Sequence, residues 1–255
     1  MLNSFGVNIM FFSTKSNIPE GVGFSTFGTT HLLWLLCIAL FWVLAVIFYK
    51  RSDTKRRRAL LITAGIITVA LEVIKDVVAI VLGNFGVGNL PLHLCGINIL
   101  LILFDMFKPT KAVRSFLYYF CIPGALLALL FPNWTVLPCF NFSHIHSFLI
   151  HAFLVLYPLL LVAEGEVTPK IKDILKCALL LIIMAIPIYF INLLCDTNFM
   201  FLMEPETGNP LGLFEKYLGS HLWGFPVLLP IVMFIMYIPL YFIHKAKSNN
   251  KTQQK

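Results

Sequence analysis

Seven apolar stretches of about twenty residues leave this chain few ways to fold, because that is the length an α-helix needs to cross a hydrocarbon core about 30 Å thick. They run roughly from Thr29 to Tyr49, Leu60 to Leu82, Leu90 to Phe107, Phe116 to Phe131, Ile145 to Ala163, Ile174 to Leu194 and Leu222 to Ile243. In lipid every backbone N–H and C=O must be satisfied within the chain, and helices do this segment by segment. The expected fold class is therefore all-α, a polytopic membrane helix bundle of seven transmembrane helices. An apolar content of 59%, against roughly 45 to 50% in soluble domains, agrees with that class. The fourth stretch is short and carries Pro123 and Gly124, which predict a kink or a tilt.

The bases set the orientation. Lys50, Arg51, Lys55, Arg56, Arg57 and Arg58 follow the first stretch, and Lys108, Lys111 and Arg114 the third. Lys170, Lys172 and Lys176 follow the fifth, and Lys245, Lys247, Lys251 and Lys255 the seventh. The other connections hold only Lys15 and Lys216, with Lys75 inside a span. By the positive-inside rule the N-terminus lies outside and the C-terminus is cytoplasmic, in a multi-pass protein of the plasma membrane. The chain then divides into an extracytoplasmic segment 1–28, a seven-helix domain 29–243 and a basic tail 244–255. A net charge of +7 arises from loops facing an anionic leaflet, so no nucleic-acid partner is expected. Met1 to Gly23 has no basic region ahead of an apolar core, so no cleavable signal is expected there.

With this topology six of the seven histidines gather at one end: His31, His93, His144, His146, His151 and His221, leaving His244 at the other. Glu72, Lys75 and Asp76 lie in the outer third of the second span, and Asn192, Cys195, Asp196 and Asn198 near the outer end of the sixth. Polar groups in a low-dielectric slab are costly and are functional candidates by default. The stretch Leu90 to Asp105, opened by Pro91 and carrying His93, Cys95 and Asn98, is the centre of this set. Cys95 near a helix N-terminus reads as a nucleophile whose proton an imidazole takes, or as a small buried hydrophobe. His93 and Cys95 point to different faces of a regular helix, so a dyad calls for His144 or His151 from the fifth span or an unwound start to the third. His144 and His151 share a face, and His146 is turned about 200° from His144. Asn98, three residues after Cys95, suits orientation of an oxyanion or headgroup. Glu72, Lys75 and Asp76 read as ligand-binding groups or as a self-neutralising ion pair.

Several chemistries have no support. There is no H-E-x-x-H, G-x-S-x-G, Walker or dinucleotide fingerprint, and no cofactor is called for. His93, His144, His151 and Glu72 would suit a metal, but nothing in their spacing specifies one. The six cysteines are scattered, although Cys139 and Cys195 fall on the same side and one bridge between them stays open. The segment from Cys195 to Leu222, with Glu204, Pro205, Glu206, Thr207, Gly208, Asn209 and Pro210, reads as turns that serve as a lid or as a plain connection.

L-P-L-H-L-C at Leu90 to Cys95, P-G-A-L-L-A-L-L-F-P at Pro123 to Pro132, H-S-F-L-I-H at His146 to His151 and D-T-N-F-M-F-L at Asp196 to Leu202 together resemble the YwaF-type bacterial integral membrane proteins. Phe199 stands where that pattern has tyrosine, and Glu204 precedes Pro205 where a base is common. More distantly the pattern is similar to a vertebrate multi-spanning acyltransferase that loads acyl chains onto lysophospholipids through a cysteine. The resemblance implies lipid acyl transfer on a membrane phospholipid or lysophospholipid, the relative's cysteine matching either Cys95 or Leu92; the polar groups at headgroup depth give Cys95 as nucleophile, His93 or His151 as base and Asn98 orienting. The alternative is a non-enzymatic transporter or sensor that uses the intramembrane His/Glu/Asp cluster.

Overall fold

A computed structural model describes residues 10–165, 167, 170–205 and 211–252, excepting the side chains of Ser16 and 243–252. The chain is all-helical among these residues. Eight helices follow in order: α1 (Thr29–Arg51), α2 (Thr54–Val81), α3 (Leu94–Phe107), α4 (Lys111–Leu130), α5 (Phe142–Glu164), α6 (Ile171–Cys195), α7 (Leu211–Leu218) and α8 (Gly224–Thr252). Among the described residues, five segments are long and apolar enough to cross a membrane: α1, α4, α5, α6 and His221–Phe242. The other two expected spans differ for separate reasons. In α2 the run of bases at Lys55 to Arg58 and the trio Glu72, Lys75 and Asp76 interrupt its apolar length. At 14 residues, α3 reaches only about 21 Å at ~1.5 Å per residue.

The centre of the bundle is α5, which packs on α1, α2, α3 and both halves of α4. Helices α4 and α5 bury most of their surface, whereas α1, α6 and α8 bury little. Leu33, Leu40, Leu44, Ile183, Phe190 and Phe234 accordingly face outward and suit contact with acyl chains. Local chemistry accounts for the helix ends. Asp53 caps α2 by accepting from the Arg56 N–H, which holds this exposed carboxyl below the usual carboxylate range. The Asn141 Oδ1 caps α5 by accepting from Ser143 and His144, and its Nδ2 donates to the Met10 and Ser13 carbonyls, anchoring the N-terminal segment. Gly165 ends α5 in the left-handed conformation at φ 80°.

The fourth span accommodates its proline with a π turn at Leu117–Cys121, immediately before the α-helical Ile122–Leu130. The wider turn absorbs the hydrogen bond that Pro123 cannot make. Between Cys195 and Leu222 the chain forms a helix, α7, rather than turns alone; the expected lid residues Glu206 to Pro210 lie outside the described residues. Leu211 and Phe214 of α7 seat against Gly224, where an added Cβ would come within 2.4 Å of Leu211.

Candidate active site

The site begins with the way α3 starts. Pro91 stands outside the helix rather than in its first turn, because Leu90 to Leu92 fold back tightly, the Leu92 N–H donating to the Leu90 carbonyl at 2.8 Å. This turn lies on Gly96, where a Cβ would be 2.6 Å from the Pro91 Cα, so only glycine fits. His93 is the extended N-cap residue at φ −67° and ψ 154°, and Cys95 falls in the first turn of α3. Its thiol is thereby aimed at α5.

There the Cys95 Sγ meets the His151 Nε2 at 3.5 Å. The other ring nitrogen, Nδ1, lies 2.6 Å from the Ser147 carbonyl one turn earlier on α5. A carbonyl only accepts, so Nδ1 carries the proton and Nε2 presents a lone pair to the thiol. This is the tautomer a base must have to take a proton from sulfur. The indole of Trp134 stacks on the imidazole at 5.5 Å and 9°, and Phe148 meets the same indole edge-on at 5.3 Å and 86°. His151 is therefore fixed by a carbonyl at one nitrogen and by a ring on its face. Asn98, one turn beyond Cys95 on α3, is buried, and its Oδ1 has no hydrogen-bond partner among the described residues.

The remaining sequence candidates divide into neighbours of this pair and residues held elsewhere. Lys75 binds Glu72 at 2.5 Å and Asp76 at 3.4 Å, and the Glu72 carboxylate lies within electrostatic reach of Cys95. His146 is buried as well, because α5 is covered on several sides; its Nε2 meets the Leu71 carbonyl at 3.2 Å, within reach of Lys75, Asp76 and His151. His93 turns to another partner, its Nδ1 accepting from the Met200 N–H at 3.3 Å between the rings of Phe199 and Phe201. His144 sits among Phe24, Trp34 and Phe148 with Nδ1 3.3 Å from the Leu137 carbonyl. Asn198 organises its own loop, accepting from the Met203 and Glu204 N–H groups and donating to the Glu204 carbonyl. His31 bridges the Phe27 N–H and the Leu129 carbonyl, and His221 binds the Phe201 carbonyl. The described residues contain no group of three His, Cys, Asp or Glu placed to hold a metal. Cys139 and Cys195 carry free thiols, so the bridge left open from the sequence is absent.

With the arrangement established, comparison with known proteins gives one match. The model of the TMEM164 family covers residues 26–237, which include every helix from α1 to α7 and about the first half of α8. The chain belongs to the TMEM164 family. This is a membrane-protein family, in agreement with the apolar helices. No curated protein and no solved structure matches the chain.

Within the TMEM164-family stretch lie groups that sequence reasoning missed. Trp134 is in a connection that looks like a plain loop, and only the stacking partner on α5 reveals it. Asn192, already among the polar residues singled out in the sequence, is buried and organises Thr197 and Phe199, its Oδ1 accepting from both and its Nδ2 donating to the Phe199 carbonyl. Asp105, Arg114 and Tyr157 form a buried ionic cluster at the base-rich end, the guanidinium 3.0 Å and the phenol 3.0 Å from the carboxylate. A usable signal existed for this cluster, since Asp105 is the only acid in α3 and a buried carboxylate needs a donor.

Proposed function

We propose that this chain is a lipid acyltransferase or transacylase that carries an acyl group on Cys95, with His151 as its base. The observation that carries the reading is the 3.5 Å approach of the Cys95 Sγ to the lone-pair nitrogen of His151. In the first step the thiol proton passes to Nε2 while Sγ bonds to the ester carbonyl carbon of a phospholipid. The tetrahedral adduct collapses, and the glyceryl oxygen leaves with the proton from Nε2, giving an acyl thioester and a lysophospholipid. The hydroxyl of a second lysophospholipid then attacks the thioester by the reverse sequence, restoring the thiol. No external oxidant or cofactor enters the balance. Asn98 orients the polar part of the substrate, and Glu72, Lys75 and Asp76 line the approach. The likeness to YwaF-type proteins and to the vertebrate acyltransferase supports the same chemistry.

The membrane setting completes the reading. In this reading the chain has seven spans, with the N-terminus outside and sixteen bases on the cytoplasmic side, and the dyad belongs to the outer half of a plasma membrane. His151 stands nine residues into α5, about 13 Å along its axis at ~1.5 Å per residue, a depth suited to the ester region of a lipid entering sideways. A second reading, a transporter or sensor, draws support from the Glu72, Lys75 and Asp76 trio beside His146.

One reconstitution separates the two. The full chain in phosphatidylcholine vesicles doped with lysophosphatidylethanolamine is expected to produce diacyl phosphatidylethanolamine, and Cys95→Ala to abolish it. Retained transfer in Cys95→Ala overturns the acyltransferase reading. Loss of function in Glu72→Gln with Cys95→Ala silent favours the transporter or sensor.

A further inference from the structure

The dyad supplies a nucleophile and a base, but an acyl-transfer site must also stabilise the negative oxygen of the tetrahedral adduct. A donor for it has to be dry, rigid and unoccupied before the substrate arrives. Trp134 meets these conditions. Its side chain is 5% exposed, and its Nε1–H has no hydrogen-bond partner among the described residues. Buried indole N–H groups normally find an acceptor, and leaving one unmet costs about 1–3 kcal/mol. The ring has no freedom to seek one. It is clamped between Phe148, edge-on at 5.3 Å, and His151, parallel at 5.5 Å. The unmet donor thus lies in a plane parallel to the imidazole whose Nε2 addresses the Cys95 sulfur.

We infer that the Trp134 indole N–H is an oxyanion donor of this site, a catalytic residue that binds the carbonyl oxygen of the acyl group while Cys95 attacks its carbon. The inference rests on the acyl-transfer reading and adds a residue to it. When the Sγ–C bond forms, the carbonyl π electrons move onto oxygen, and the indole N–H gains an acceptor that the described residues do not supply. When the adduct collapses, the charge returns to the carbonyl and that hydrogen bond weakens. The backbone around Trp134 is suited to hold this position. The Leu137 N–H donates to the Trp134 carbonyl at 3.0 Å, closing a turn, and Trp134 and Leu137 sit in one apolar cluster with Ile38, Leu129 and Phe148. An N–H held this way loses little entropy when the charge develops.

The test uses Trp134→Phe, which keeps an aromatic ring to stack on His151 and removes the donor together with part of the indole's bulk. Two rates are measured on the full chain in phosphatidylcholine vesicles. One is the burst of p-nitrophenolate from p-nitrophenyl laurate, which passes through an oxyanion. The other is alkylation of Cys95 by iodoacetamide, a displacement at saturated carbon that forms no oxyanion and reads only the thiol and its base. The expected result is a burst about 10²-fold slower with alkylation unchanged. An unchanged burst in Trp134→Phe overturns the assignment, and so does a parallel fall of both rates, which marks the ring as a support for His151. Cys95→Ala in the same assay distinguishes the two levels. If it abolishes the burst while Trp134→Phe is silent, the acyl-transfer reading stands and the Trp134 role falls; if the burst survives in Cys95→Ala, both fall.

Discussion

The two ends of the bundle treat buried polar groups in opposite ways. At the base-rich end, Asp105 takes hydrogen bonds from Arg114 at 3.0 and 3.2 Å and from Tyr157 at 3.0 Å. Tyr49 donates to Glu164, and Arg57 donates to the carbonyls of Tyr49 and Lys50. At the histidine-rich end, the Asn98 Oδ1, Trp134 Nε1 and His144 Nε2 are buried without partners among the described residues. Tyr119 on α4, within electrostatic reach of Asp173 and Cys177, is a further unpartnered group and the exception on the base-rich side. The contrast teaches where stability is needed and where binding is. A cluster with every group matched holds helices together, whereas unmatched donors and acceptors beside a thiol and an imidazole await something that is not protein.

The largest effect is expected where the pairing is complete. Asp105→Ala leaves a guanidinium and a phenol buried without their carboxylate, and should destabilise the fold by about 3–5 kcal/mol. Thermal unfolding in detergent reads this loss, while iodoacetamide alkylation of Cys95 per folded molecule stays at the wild-type rate. A small shift in unfolding there would erase the distinction between the two ends. His151→Ala should behave in the opposite sense. It removes the base and slows Cys95 alkylation about 10²-fold at neutral pH, with a stability change of about 1 kcal/mol.

Gly96→Ala is expected to fall between these two classes. Its Cβ collides with the Pro91 backbone, so the Leu90 to Leu92 turn must shift, at a cost of about 1–3 kcal/mol and with a changed alkylation rate. The smallest stability effect should come from Asn98→Leu, which replaces a buried amide whose Oδ1 is unpaired among the described residues by an apolar group of similar size. Its unfolding should be unchanged or up to about 1 kcal/mol more favourable to the folded state, while acyl transfer falls. Marked destabilisation would mean that Asn98 serves structure, and the contrast would then weaken.

The helical class was plain from run length, and the ends of α1, α5 and α6 fall close to where apolar runs meet bases, caps or glycine. Which helix is central was not legible. The largely exposed α1 and the largely buried α5 are both apolar enough to span, because run length and hydropathy do not reveal which helix its neighbours cover. The start of α3 was placed too early because Pro91 suits both the first helical turn and the turn before it. The spacing of Gly96 after Pro91 bears on that choice only once the backbones are seen in contact. For the site, the seven-residue spacing correctly puts His144 and His151 on one face of α5. Which of them reaches Cys95 depends on the relative heights of α3 and α5, and those heights follow from the short α3 and its folded-back entry. Trp134 was invisible because its role arises from a stack between a loop and a helix distant from one another in the chain.

The most direct measurement of the central claim is the mass of the peptide containing Cys95 after the full chain has been incubated in phosphatidylcholine vesicles and rapidly quenched in acid. The account predicts an added acyl mass on Cys95 that neutral hydroxylamine removes, strongly reduced in His151→Ala. An unmodified Cys95 in a chain that is remodelling lipid, or the acyl mass on another residue, would contradict it.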